Sequence, residues 1–64
     1  MFKEYDVVIS KKDLPNVPKG SQGTIVLCYE NSIDYEVEFV DDNYNTLNVI
    51  TVSENYLQPV STNT

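Results

Sequence analysis

The chain has 64 residues, 41% of them apolar and 22% charged, enough for one small domain and too few for two. Four lysines and no arginine stand against ten carboxylates, and the net charge of −6 argues against a phosphate-binding surface, whose affinity rests on Lys and Arg. Histidine is absent and Cys28 is the single cysteine, which excludes His-based catalytic triads, multi-cysteine metal cages and an intrachain disulfide.

β-branched residues dominate the interior of the sequence, so strands are expected throughout. Tyr5-Asp6-Val7-Val8-Ile9 opens the chain as a short apolar strand. From Lys11 to Gly23 come three of the four lysines, two prolines and both glycines, the composition of a long loop. Thr24 to Tyr29 is apolar on both parities, as in a strand covered on both sides or bent through a barrel corner. Glu30 to Asp34 has the Asn/Asp/Ser chemistry of a hairpin turn. Tyr35-Glu36-Val37-Glu38-Phe39 alternates cleanly, with the aromatic and valine side chains on one face and the glutamates on the other. Asp41 to Asn45 reads as a second turn. Leu47 to Val52 begins alternating and shifts parity between Val49 and Ile50, where a bulge would keep both halves on the core. Ser53 to Tyr56 predicts one helical turn with Ser53 as N-cap. Leu57-Gln58-Pro59-Val60 predicts a terminal edge strand, where the missing Pro59 N–H does no harm.

Five short strands, one long first loop and a single helical turn before the last strand predict an all-β domain over 1–60, a small five-stranded SH3-like barrel, with 61–64 a polar, disordered tail. Curling the sheet on itself would bury Val7, Ile9, Val26, Val37, Phe39, Val49, Val52 and Leu57 together.

Four blocks carry a family resemblance: Glu4 to Val8, Lys19 to Val26, Tyr35 to Val40 and Leu57 to Val60. With this spacing, from about Met1 to Val60, the chain resembles a family of short bacterial proteins known only as a domain of unknown function and similar to SH3-like barrels. Some members are encoded beside a toxin-like protein, so the resemblance implies an antitoxin or immunity role. The chain departs from the pattern at Gln58, where a basic residue often precedes the Pro-Val pair.

Several features bear on function. Glu36 and Glu38 share the solvent face of the third predicted strand and Asp41 and Asp42 follow at its end, making an acidic ridge. That ridge is either a docking surface for a basic protein or a solvated face that keeps the domain soluble. Asp41 to Asn45 lacks the glycine and closing glutamate of a calcium-binding EF-hand loop. Among five tyrosines, Tyr44 sits in a turn and is the best exposed anchor, whereas Tyr35 belongs to the core. Lys11, Lys12 and Lys19 form the alternative, nucleic-acid-contacting set. Gly23 is either part of an RNA-binding turn or a glycine demanded by its backbone conformation, the second being favoured. Cys28, in an apolar strand with no basic neighbour, reads as a buried, inert thiol.

The expected function is a non-catalytic protein-interaction module, the antitoxin or immunity partner of a toxin-like protein, without cofactor or metal. An RNA- or ribosome-associated barrel and an accessory subunit of a larger enzyme are the alternatives. Met1 to Asp6 is charged, so no leader peptide is expected, and no apolar run reaches the ~20 residues of a membrane span. A reduced cysteine then fits the cytoplasm.

Overall fold

The computed structural model describes residues 1–30 and 32–60; Asn31, in the first predicted turn, and the predicted tail 61–64 lie outside the described residues. The strands are β1 (Val7–Ser10), β2 (Gln22–Cys28), β3 (Asp34–Val40), β4 (Thr46–Ser53) and β5 (Leu57–Pro59), with one 3-10 turn, Glu54–Tyr56, before the last. All five join in a single antiparallel sheet of order β4-β3-β2-β1-β5. The expected all-β architecture is therefore observed. β4 and β5 are the two edges, so Pro59 sits where its missing donor faces no second strand.

Strand β3 sets the inside of the sheet. Tyr35, Val37 and Phe39 are buried and alternate with half-buried Glu36 and Glu38, as their period-two pattern requires. Register then carries this choice to the neighbouring strands. Val8 lies opposite Gly23 and Gly23 opposite Phe39; Ile25 lies opposite Val37, which faces Ile50. The core is Val8, Val17, Ile25, Tyr35, Val37, Phe39, Val52 and Leu57, with Phe2, Leu14, Leu47 and Ile50 packed against it.

Half of the predicted core residues change places. Val37, Phe39, Val52 and Leu57 are buried, but Val7 and Val49 are exposed and Ile9 and Val26 only half-buried. In an all-apolar run such as Val7-Val8-Ile9 either parity satisfies the hydrophobic effect, and pairing with β2 selects Val8. In β2 the register slips between Ile25 and Leu27, leaving Val26 as the extra residue of a bulge. Beyond the bulge Leu27 lies opposite Glu36 and is exposed, so the run is not covered on both sides. The bulge expected between Val49 and Ile50 lies elsewhere in β4: Phe39 pairs Asn48 and Val40 pairs Thr46, so Leu47 is the unmatched residue. Its displacement lets Leu47 and Ile50, of opposite parity, both reach the core.

Local chemistry closes the loops. β1 starts at Val7 rather than Tyr5, because Tyr5 takes a left-handed φ of 73° in a turn closed by Asp6 N–H to Lys3 O (3.0 Å). In the long loop, Leu14 and Val17 exchange backbone hydrogen bonds of 2.8 and 2.9 Å around Asn16, which has φ 58°. This miniature hairpin drives Val17 into the core. Ser53 accepts the Asn55 N–H at 3.2 Å, the predicted cap of the 3-10 turn.

Gly23 answers to packing rather than backbone freedom. The one glycine with positive φ is Gly20, at 91°. A Cβ on Gly23 would lie 2.7 Å from Val37 Cγ1 and 2.8 Å from Phe39 Cδ1.

At the far end of the sheet, the buried Tyr35 hydroxyl donates to Glu54 Oε1 (2.7 Å) and accepts from Phe2 N–H (2.9 Å). The Phe2 ring meets the Tyr35 ring edge-on, 5.6 Å between centroids. Burial pushes the Tyr35 phenol above its usual value, the Phe2 N–H pulls it down, and the Glu54 carboxylate pushes it up again. Three separate elements meet on this one side chain.

Candidate partner-binding face

With Val37 and Phe39 facing inward, Glu36 and Glu38 stand on the outer face of the sheet. Two cross-strand rows contain them: Leu27–Glu36–Thr51, and Val7–Thr24–Glu38–Val49. Each glutamate is held by a hydroxyl from β4. Thr51 Oγ1 donates to Glu36 Oε1 at 2.8 Å, and Thr46 Oγ1 donates to Glu38 Oε2 at 2.6 Å. Tyr29 adds a longer hydrogen bond to Glu36 at 3.4 Å. Beside these carboxylates stand Leu27, 47% exposed, and Val49, 45% exposed. The face thus combines ordered negative charge with uncovered branched apolar surface.

β3 continues into the turn that holds the remaining predicted residues. Asp41 Oδ1 accepts the backbone N–H groups of Asn43 (2.8 Å) and Asn45 (2.9 Å), and Oδ2 accepts from the Asn45 side chain (3.4 Å). Its carboxylate is thereby committed to building the turn, an Asx arrangement, rather than offered outward. These bonds, the Asn45 N–H first, hold the Asp41 carboxyl below its ordinary value. The turn places Tyr44 at a left-handed φ of 64° and leaves it 80% exposed. Such a backbone costs a non-glycine residue on the order of 1 kcal/mol, so this aromatic is displayed at some expense of stability.

Because the Asp41 pKa is lower in the folded chain than in the unfolded one, its contribution to stability is present above about pH 4 and lost as pH falls through the folded value. Urea denaturation of wild type and Asp41→Asn across pH 2–7 is expected to show a less stable variant at neutral pH and converging curves in acid. A gap that persists unchanged to the lowest pH would locate the effect in something other than this charge.

Asp42 and Tyr44 line a groove of about 470 Å³ together with Lys19, Gly20, Val40 and Leu47. Sequence reasoning assigned Lys19 to a basic set with Lys11 and Lys12; the structure gives these residues different surroundings. Lys19 shares the groove with Asp41 and Asp42, and its N–H is held by Asp13. Lys12 Nζ sits 4.2 Å above the Tyr56 ring, beside the 3-10 turn. Lys11 is exposed, its N–H bonded to Tyr56 O at 2.7 Å.

Sequence reasoning missed Leu27 and Val49 as surface residues and Thr46, Thr51 and Tyr29 as carboxylate partners. The outer rows follow only from inter-strand register, which a single strand's pattern does not carry. Cys28 is also corrected. It is exposed rather than buried, at the end of β2 beyond the bulge, with Sγ 3.9 Å from Phe2 O. Among the described residues, no group of three metal-ligating side chains comes together, and no helix is long and apolar enough to cross a membrane.

These features define a small, single-sheet antiparallel domain with a charged and partly apolar outer face. The chain belongs to the family described as Domain of unknown function (DUF4926), whose model matches residues 4–59. No curated protein and no solved structure matches it.

Proposed function

We propose that this chain is a non-catalytic protein-interaction module of SH3-like plan, acting in the bacterial cytoplasm as the antitoxin or immunity partner of a basic, toxin-like protein. One observation carries the reading: Glu36 and Glu38 are each fixed by a threonine hydroxyl and each paired across strands with an exposed apolar side chain, Leu27 or Val49. A face that serves only solubility is well served by freely solvated carboxylates. Orienting them costs side-chain entropy, and uncovered leucine and valine work against solubility. Fixed charge gives a basic partner its orientation and on-rate, while the apolar pair supplies area to bury. Tyr44, displayed in a strained turn at the end of the same strand, adds a rigid anchor. The strand order, the long first loop and the 3-10 turn before β5 support the SH3-like plan.

The test is co-expression with the protein encoded next door, followed by size exclusion at low and high salt. The module and a basic neighbour are expected to co-elute at low salt and to separate more readily at high salt. Separate elution at every salt, together with salt-sensitive RNA binding lost on substitution of Lys11, Lys12 and Lys19, would replace this reading by the nucleic-acid one.

A further inference from the structure

β4 is the longest strand and an outer edge of the sheet, and its sequence Thr46-Leu47-Asn48-Val49-Ile50-Thr51-Val52-Ser53 contains no charge and no proline. Such an edge is a template for a further strand, and proteins commonly blunt it with lysine, proline, a bulge or a covering loop. Here the protection converges on one side chain. Asn48 Oδ1 accepts the N–H of Val49 at 2.9 Å, and Asn48 Nδ2 donates to Pro15 O in the long loop at 3.0 Å. One amide therefore occupies an edge donor and ties the Leu14–Val17 hairpin beside the strand. The bulge at Leu47 lies immediately before it.

From this arrangement we infer that Asn48 is a lock on a latent pairing edge, and that the edge, once released, takes the β4 edge of a second copy of this chain in antiparallel register. The Val49 N–H turns toward the open side to reach Asn48, so by the alternation of an antiparallel ladder the Thr51 amide and carbonyl turn the same way. A two-fold pairing centred on Ile50 sets Val49 opposite Thr51 of the second copy, and each pair exchanges two backbone hydrogen bonds. The contact is isologous and self-complementary, and no charged side chain lies within it. The exposed Val49 gains a cross-strand neighbour. Glu36 and Glu38 on each β3 would stand three strand spacings from their counterparts on the second copy, roughly 14 Å. That exceeds the ~8 Å Debye length at physiological ionic strength. Each copy carries a net charge of −6, so salt favours this self-pairing by screening the repulsion between copies, the opposite of its effect on a basic partner at the acidic face, and the two ideas fail separately.

Sedimentation of Asn48→Val, with circular dichroism as the check on folding, tests the lock. Wild type is expected to remain a monomer, and the variant to form a dimer that strengthens with protein concentration and with salt. Adding Thr51→Pro, which deletes an edge N–H, is expected to return the variant to monomer. A folded Asn48→Val that stays monomeric, or a dimer indifferent to Thr51→Pro, would overturn the inference. Amide hydrogen exchange on wild type tests the geometry whether or not the variant folds. Thr51 is expected to exchange as an open-edge amide and Val49 to be slowed by Asn48; a Thr51 amide as protected as those of Val37 and Phe39 would overturn it too.

Discussion

Gly23→Ala is expected to lower the melting temperature sharply and Gly23→Val to leave the chain largely unfolded. The Cβ of alanine would enter space already held by Val37 Cγ1 at 2.7 Å and the Phe39 ring at 2.8 Å. Both neighbours are fully buried on β3, which is paired on both sides, so neither swings into solvent to make room. Overpacking of this kind costs about 1–3 kcal/mol, and in a domain this small each kcal/mol moves the midpoint by ~4–8 °C. A chain of this length is stabilised by roughly 3–10 kcal/mol in total, so the two further methyl groups of valine consume most of it. Gly20→Ala is the internal control. Gly20 has open space around it but a φ of 91°, so its substitution carries backbone strain alone, about 1 kcal/mol. Melting curves that place Gly23→Ala above Gly20→Ala would show that the sheet relaxes around the new methyl group.

The second large effect concerns binding. Glu36→Lys combined with Glu38→Lys is expected to weaken association with a basic partner by about 100-fold, since two attractive contacts become repulsive. The fold should survive, because each substitution gives up an outer-face acceptor of a threonine hydroxyl, about 1 kcal/mol net, and at Glu36 also the longer hydrogen bond from Tyr29. Glu36→Gln with Glu38→Gln keeps oxygen acceptors for Thr51 and Thr46 and removes only charge, so an intermediate loss is expected, together with a shallower salt dependence. Calorimetric titration of the three proteins with the same partner checks the series. Equal affinities across it would remove the glutamates from the interface.

Strand β3 was legible in the sequence because charged and apolar residues alternate there without ambiguity. Ser53 as a cap and Pro59 on an edge were legible for the same reason: each residue type has few places it fits. β1 and β2 were legible as strands but not in their facing. Val7-Val8-Ile9 and Thr24 to Tyr29 offer apolar side chains on both parities, so only pairing, of β2 with β3 and of β1 with β2, decides which side is inside. Val17, between Pro15-Asn16 and Pro18, has the surroundings of a surface loop, and its burial comes from the two backbone hydrogen bonds it exchanges with Leu14. The candidate site divides along the same line. The outward placement of Glu36 and Glu38 follows from alternation alone, whereas the exposed Leu27 and Val49 beside them depend on the bulges at Val26 and Leu47 and on register across three strands.

Amide exchange and side-chain chemical shifts, followed residue by residue as the basic neighbour is added, test the account at its centre. The perturbed residues are expected to be Leu27, Glu36, Glu38 and Val49 on the outer face, extending to Tyr44 at the end of β3. Saturable changes confined to the loop from Lys11 to Lys19, with the outer face of β3 untouched, would contradict it.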